Sequence, residues 1–362
     1  MALITRRVSV GKVQIGGGAS VSVQSMTSTP THDIGATVGQ IKSLEVAGCD
    51  IVRVAVPDMR SARAIRDIKQ SISVPLVADI HFDHRLALAA LESGADKLRI
   101  NPGNIGSRQN VEEVARAAME RGVPIRVGVN AGSIDRSRYG PPTARALVES
   151  ALDEVRILER CGFEDIVISM KAFDVPMTIE AYRLASSACD YPLHLGVTES
   201  GLAWEGSIRS AVGIGALLAE GIGDTIRVSL TADPVEEVRV GIEILSALNM
   251  RQKPFTLISC PTCGRCQIDV GSIAAEVRAR LESNPPARPL TVAVMGCVVN
   301  GPGEASLADV GIAGGRRAGA IFANGVLLRK VPESALVDEL MKEVEKLACS
   351  SQENQPRSSG DS

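Results

Sequence analysis

The sequence predicts an α/β protein: a (β/α)8 TIM-type barrel over residues 1–250, then a smaller α+β domain over 254–349 and a polar, disordered tail over 350–362. Three observations predict it. Short runs rich in Val and Ile recur, each followed by a longer amphipathic or Ala/Leu-rich stretch, which is the alternation of a parallel sheet. Eight such runs fall within about 210 residues, the spacing of a closed barrel. At 362 residues the chain also exceeds what one core usually serves, so a second domain is expected.

The strands come in order. VSVQSMT starts at Val21, IVRVAVP at Ile51, PLVADIH at Pro75, KLRINPG at Lys97 and PIRVGVN at Pro124. DIVISMK at Asp165, PLHLGVT at Pro192 and TIRVSL at Thr225 complete the set. An open doubly wound sheet would need a topological switch that nothing in the sequence marks. Ahead of the strands, RRVSVGKVQIGGGAS reads as a hairpin that plugs the bottom of the barrel. The stretch VEEVRVGIEILSALNM, from Val235, is the helix of the eighth unit, and Arg251 to Pro254 reads as a short linker. Beyond it FTLIS and LTVAVM read as strands, IAAEVRARLE and ESALVDELMKEVEKLA as helices, and Asn324-Gly325 as the turn of a hairpin. The Gly-rich GIAGGRRAG near Gly311 follows no strand-turn-helix pattern and is read as a turn rather than a phosphate loop.

Composition excludes several function classes. A formal charge of -3, from 39 basic against 42 acidic residues, sets up no global field for polyanions. One Trp, three Tyr and five Phe are too few for a base-stacking surface, so no nucleic-acid partner is expected. No stretch reaches the roughly 20 apolar residues of a membrane helix, and MALITRR lacks the apolar core of a secretory signal. A cytoplasmic location follows as an expectation. Eight cysteines kept reduced there point toward metal or redox chemistry rather than disulfides.

The predicted barrel interior is polar where a structural core would be aliphatic. Alternate residues of a strand face opposite sides, and the aliphatic neighbours of Arg53, Arg99, Arg126 and Arg227 suit the helix-facing side. The four arginines therefore point inward. The same parity turns Asp79, His81, Asn101, Asn130, Lys171, Thr198 and Ser229 inward near the strand ends. Internal salt bridges to acids such as Asp79 are one reading. Against it, four arginines and a lysine outnumber the inward acids, which points to a multivalent anion, with a ligand bearing two phosphates as the natural fit. His81, beside Asp79, is a general acid/base or a hydrogen-bonded core histidine; His32, His84 and His194 read as structural.

Cys260, Cys263 and Cys266 form C-x-x-C-x-x-C, and Cys297 follows in MGCVVNGPGE. Structural zinc and an iron-sulfur cluster compete for such thiols. Zinc ribbons show two C-x-x-C knuckles, whereas the second half here has one cysteine, which favours the cluster. Cys49, Cys161, Cys189 and Cys349 are scattered and read as ordinary thiols.

CPTCGR at Cys260 to Arg265 and MGCVVNGPGEA at Met295 to Ala305, behind a barrel with these arginines, resemble the 4-hydroxy-3-methylbut-2-enyl diphosphate synthase family of the methylerythritol phosphate pathway to isoprenoids. The resemblance runs from about Ile4 to Leu347 and includes PGN near Pro102, VGVNAGS near Val127, SMKA near Ser169, LGVTESG near Leu195 and RVSLTADP near Arg227. It is to the shorter, two-domain form. It implies a two-electron reductive ring opening of 2-C-methyl-D-erythritol 2,4-cyclodiphosphate with loss of water. It also implies a 4Fe-4S cluster on Cys260, Cys263, Cys297 and the carboxylate of Glu304, with Cys266 left over, and a carboxylate there is a ligand that substrate oxygen displaces more readily than a thiolate. Arg53, Arg99, Arg126, Asn130, Lys171, Arg227 and Ser229, with Thr198, become the diphosphate cradle. Glu199 becomes the first candidate for proton delivery, with His81 and Asp79 behind it. Electrons are implied to come from reduced flavodoxin or ferredoxin, since no flavin or nicotinamide fingerprint is present.

The last barrel helix runs antiparallel to the strands and ends at the bottom of the barrel, opposite the active mouth. The resemblance resolves this with a head-to-tail homodimer in which each cluster domain caps the partner's barrel. The rival readings are a pterin- or sugar-phosphate-binding barrel transferase with a merely structural metal domain, and a non-catalytic binding module.

Overall fold

The computed structural model describes residues 4–297, 303 and 308–349. They fall into two compact units that divide between Arg251 and Gln252; the polar tail predicted over 350–362 lies outside the described residues.

In the first unit the antiparallel hairpin of β1 (Val8–Val10) and β2 (Val13–Ile15) precedes eight parallel strands. These are β3 (Ser22–Met26), β4 (Ile51–Ala55), β5 (Leu76–Asp79), β6 (Lys97–Ile100), β7 (Ile125–Asn130), β8 (Ile166–Lys171), β9 (His194–Leu195) and β10 (Thr225–Ile226). Their order is β8-β7-β6-β5-β4-β3-β10-β9. The ring closes where the Ile168 N–H donates to Pro192 O at 2.9 Å, beside the parallel bridge of Ile168 and Leu193. The fold is the TIM-type barrel that the eight Val/Ile runs predict.

The helices are α1 (Ile34–Val46), α2 (Met59–Ser71), α3 (His84–Glu92), α4 (Arg108–Arg121), α5 (Arg136–Tyr139), α6 (Ala144–Glu159), α7 (Val175–Ala188), α8 (Ala203–Ala219) and α9 (Pro234–Ala247). Asp33, Asp58, Asp83, Asp174 and Asp233 each stand just before a helix and accept an N–H of its first turn, satisfying a donor that has no partner within the helix. The outward faces of the strands, such as Val52, Val54, Leu76, Ala78, Leu98 and Ile100, are buried in one core with Ile65, Ile68, Leu147 and Leu217 of the helices. On the inside, Ile51 and Val77 pack on Val10 and Ile15 of the hairpin, which forms the barrel floor. After α9, Arg251 is held at the amino end of β4, where its Nη1 donates to Asp50 Oδ2 at 2.6 Å and its Nη2 to Gly48 O at 2.9 Å.

The second unit is a five-stranded sheet of β11 (Phe255–Ser259), β12 (Leu290–Met295), β13 (Val310–Gly315), β14 (Ala318–Ala323) and β15 (Val326–Pro332), in that order. The first three strands are parallel and the last two join antiparallel. The helices α10 (Val270–Ser283) and α11 (Leu336–Cys349) supply Val277, Leu281, Leu340 and Val344 to its core. Asn324 and Gly325 have φ of 50° and 77°, the two positive values a tight hairpin turn requires. One expectation is corrected here: the glycine-rich run at Gly311 is strand, not turn, and only Arg316 and Arg317 make the turn. Its glycines answer packing: a Cβ at Gly314 would lie 2.6 Å from Ile268 Cγ1, and one at Gly319 would lie 2.7 Å from Leu336 Cδ2.

Candidate active site

The carboxyl ends of the barrel strands enclose a cavity of 180 Å³ lined by Arg53, Asp79, His81, Arg99, Arg126, Asn130, Ser169, Lys171, Thr198, Arg227 and Ser229. All but Ser169 are residues that the inward parity selects. Ser169 was legible by the same rule, two positions before Lys171 on β8, but a neutral hydroxyl inside a strand draws no attention. Asn101 turns instead to the backbone, its Oδ1 accepting the Gly128 N–H at 3.1 Å. Glu199 is exposed, has φ 54° and is not among the side chains lining the cavity. Glu304 lies outside the described residues.

Among the described residues, five cations and one acid face this cavity. Asp79 is shared: Arg53 Nε stands 3.9 Å from its Oδ2 and Arg99 Nη1 3.4 Å from its Oδ1. Burial alone would push the Asp79 carboxyl up, but Arg53, a hydrogen bond from His81 and Arg99 together hold it well below the usual carboxylate range. It is a fixed anion. His81 Nε2 lies 3.5 Å from Asp79 Oδ2 and its Nδ1 3.2 Å from Arg99 Nη1, so the ring, 56% exposed, sits between a carboxylate and a guanidinium at the cavity edge. Arg227 leans on an acid the parity rule overlooks, Glu237 of α9, at 3.4 Å. Glu237 also accepts from Ser25 Oγ and from the Leu230 N–H, both at 3.0 Å.

Salt bridges thus account for Arg53, Arg99 and Arg227, but not for Arg126. It is 1% exposed, and none of its three guanidinium nitrogens has a hydrogen-bond partner among the described residues. Burial, then the nearby Arg53 and Arg99, push its charged form to lower pH. Lys171 is pushed the same way by burial and then by Arg227, Arg126 and Arg53. A buried guanidinium with no anion costs several kcal/mol, and a phosphate presenting paired oxygens removes that cost. Two glycines make room. A Cβ at Gly128 would come 2.7 Å from Arg99 Nε, and one at Gly196 would come 2.7 Å from Lys171 Nζ.

Beneath the cavity, Lys97 and His194 are fully buried, and neither Lys97 Nζ nor the two His194 ring nitrogens have a partner among the described residues. Both lie on the inward parity, at the first positions of β6 and β9. The polar interior therefore runs deeper than the strand-end motifs suggest, and burial with the neighbouring cations pushes the charged forms of both groups to lower pH.

In the second unit Cys260 and Cys297 follow adjacent parallel strands, and the Cys260 N–H donates to Val294 O at 3.2 Å. The Gly296 N–H donates to Cys260 Sγ at 3.2 Å, the kind of backbone bond that supports an electron-rich thiolate. Cys263 is exposed, and hydrogen bonds from the Arg265 backbone and side chain lower its thiol pKa toward the ligand form. Among the described residues no three metal-ligating side chains converge closely enough to hold an ion as they stand. The donor chemistry and the strand-end placement fit a thiolate-held cluster. Burial pushes the Cys49 thiol up to about 12 and also raises Cys161 and Cys189, in keeping with ordinary core thiols.

Comparison with known proteins separates the fold from the family. The barrel resembles dihydropteroate synthase from Stenotrophomonas maltophilia with a TM-score of 0.51 over 68% of this chain and 97% of that one, at 15% identity, which shows a shared barrel and nothing more. The sequence is far closer to two curated proteins named 4-hydroxy-3-methylbut-2-en-1-yl diphosphate synthase (flavodoxin). The one from Geobacter sulfurreducens is 61% identical over 346 residues, covering 95% of this chain and 98% of that protein. The one from Caldanaerobacter subterraneus is 59% identical over 350 residues, covering 96% and 98%. Residues 5–242 match the GcpE TIM-barrel domain and residues 256–346 the GcpE protein C-terminal domain. With both units matched in order along nearly its whole length, the chain belongs to the GcpE family.

Proposed function

We propose that this chain catalyses the reaction for which its relatives are named, the reductive opening and dehydration of 2-C-methyl-D-erythritol 2,4-cyclodiphosphate to 4-hydroxy-3-methylbut-2-enyl diphosphate, as a flavodoxin-dependent oxidoreductase of isoprenoid biosynthesis. One observation supports the reading in this chain's own residues: Arg126, one of five cations in a cavity at the carboxyl ends of the strands, is buried with no hydrogen-bond partner among the described residues. A cyclic diphosphate supplies the anion such a site lacks.

Arg53, Arg99, Arg126, Lys171 and Arg227 bind the two phosphates, with Asn130, Thr198, Ser229 and Ser169 donating to the remaining oxygens. Asp79 fixes the arginine forks and one edge of His81. His81 lines the cavity and is the better-placed donor to a departing hydroxyl; Glu199, exposed and off the lining, reaches that role only if its loop turns inward. Cys260, Cys263, Cys297 and Glu304 would hold a 4Fe-4S cluster, which supplies electrons one at a time when bound. Reduced flavodoxin, or ferredoxin in its place, delivers them in a cytoplasmic setting. We further propose a homodimer in which each cluster unit serves the partner's barrel, because Arg251 leaves the first unit at the amino ends of the strands while the cavity lies at the carboxyl ends.

The test is turnover. Anaerobically prepared protein, given the cyclodiphosphate and reduced flavodoxin, is expected to form the allylic diphosphate, read by phosphorus NMR. Iron- and sulfide-replete protein that binds the cyclodiphosphate and leaves it unchanged would overturn the assignment.

A further inference from the structure

The cluster reading leaves Cys266 without a task, yet the fold places it with care. Its backbone N–H donates to Cys263 O at 2.9 Å, which turns the loop back toward the end of β12. There the Gln267 N–H donates to Gly296 O at 2.8 Å. The Cys266 side chain fills the notch over Gly296: a Cβ on that residue would overlap Cys266 Sγ, and would stand 3.6 Å from Cys260 Sγ. Both sulfurs therefore flank one glycine, half-buried, while Cys263 is exposed. Cys260 and Cys266 also pack against the same apolar core, with Ile268, Val270 and Val294. A side chain at 296 would displace the Cys266 sulfur and press on Val270 Cγ2 at 2.6 Å, so glycine there lets Cys266 sit beside Cys260.

We propose that Cys260 and Cys266 form a reversible disulfide in the cluster-free protein, parking a ligand cysteine until the cluster is rebuilt. The proposal rests on the assignment of Cys260 as a cluster ligand. The oxidant is a small-molecule disulfide such as oxidised glutathione. One cysteine thiolate attacks a sulfur of that disulfide and expels one glutathione thiolate, leaving a mixed disulfide. The second cysteine thiolate then attacks the protein sulfur and expels the other glutathione. Two thiol protons are released, and two electrons pass from the cysteine pair to the glutathione disulfide. A dithiol reductant reverses both steps. Cys260 is thereby held short of sulfinic acid, which is not readily reversed.

The experiment uses the full-length chain stripped of iron with a chelator, treated with oxidised glutathione, alkylated and digested with trypsin. Cleavage after Arg265 puts Cys266 on a different peptide from Cys260 and Cys263, so the cross-link is read directly by mass spectrometry. The expected result is a linked pair that survives Cys263→Ser, disappears in Cys260→Ser and Cys266→Ser, and is released by dithiothreitol. Released wild-type protein should regain its capacity to take up iron and sulfide, read by absorbance. Cys266 remaining fully alkylated, or linked to Cys263, overturns the proposal. Iron and sulfide content of untreated anaerobic protein is measured alongside: wild-type chain that forms the cross-link but never holds iron would sink the ligand assignment and leave the thiol pairing standing.

Discussion

Arg99 donates from Nη2 to the carbonyl oxygen of Gly128 at 3.0 Å, across the space that a side chain at 128 would occupy. The neighbouring strand thus aims the guanidinium, and the missing Cβ lets it pass. Gly128→Ala should displace Arg99 from the cavity without unfolding the barrel, because a single added methyl in a packed interior costs roughly 1–3 kcal/mol. We expect a loss of cyclodiphosphate affinity on the order of tenfold by calorimetry, with iron content unchanged. Wild-type affinity would mean that Arg99 does not contact the ligand.

Arg126 should show opposite signs with and without ligand. Its lost hydrogen bonds to phosphate are worth about 2 kcal/mol, so Arg126→Ala should weaken binding roughly thirtyfold. In the ligand-free protein the same position is a buried cation with no hydrogen-bond partner among the described residues, and a packed apolar residue there is stabilising. Arg126→Met should therefore raise the melting temperature of the free protein and abolish the further rise on adding ligand. A lower free-state melting temperature would show that Arg126 already has a partner.

Binding should take up a proton. In the free protein, burial and then Arg227, Arg126 and Arg53 hold Lys171 well below the ordinary lysine range, with Glu237 opposing. A bound cyclic diphosphate, with one negative charge on each phosphorus, raises it again. Between the free and bound values the complex carries more protons than the free protein, so affinity falls as pH rises; at lower pH both are protonated and the curve is flat. Over the same window the unfolded chain binds more protons than the free folded one, so ligand-free stability rises with pH. Titration calorimetry in two buffers of different ionisation enthalpy reads the uptake directly, and Lys171→Met should weaken binding and remove the pH slope. An unchanged slope in that variant would place the titrating group elsewhere.

How much of this was legible can be argued from single residues. Period-two alternation put Arg53, Arg99, Arg126 and Arg227 inside, because an arginine between aliphatic residues in a strand has only two faces to choose from. The same rule reaches Lys97 and His194 at the starts of β6 and β9, but it gives the face and not the depth, so His194 reads as structural and Lys97 attracts no reading. Glu237 was out of reach for another reason. It belongs to a helix, where alternation says nothing, and it meets Arg227 only because α9 packs against β3 and β10. The glycine-rich run at Gly311 reads as a turn because glycine disfavours strands on propensity alone, whereas close packing on Ile268 and Leu336 demands glycine in these strands.

The proposed ligand set predicts an ordering of cluster content. Cys297→Ser removes a thiolate that follows β12 and should lose iron and sulfide together. Glu304→Ala should leave a cluster that oxygen destroys faster than in the wild type, since a carboxylate holds iron less tightly than a thiolate. Cys266→Ser should retain the cluster as prepared. Iron, labile sulfide and visible absorbance of the anaerobic proteins check all three. Retention in Cys297→Ser with loss in Cys266→Ser would exchange their roles.

The assembly prediction follows from where the first unit releases the chain. Arg251 is tied to Gly48 and Asp50 at the amino end of β4, while Lys171, Thr198 and Ser229 line the cavity at the carboxyl ends. The linker before Phe255 is three residues, Gln252 to Pro254, which at about 3.5 Å per residue spans roughly 10 Å. A barrel strand with its loops is longer than that. A two-fold pair lets the cluster unit of one chain serve the barrel of the other and makes both sites equivalent. Mixing an Arg126→Ala chain with a Cys297→Ser chain then gives a heterodimer with one intact site and one doubly broken site. If sites form in trans, activity should reappear on mixing, up to about half the wild-type value per heterodimer. Subunit exchange is verified by mass spectrometry of differently tagged chains. Confirmed exchange with no recovered activity would mean that each site is completed within a single chain.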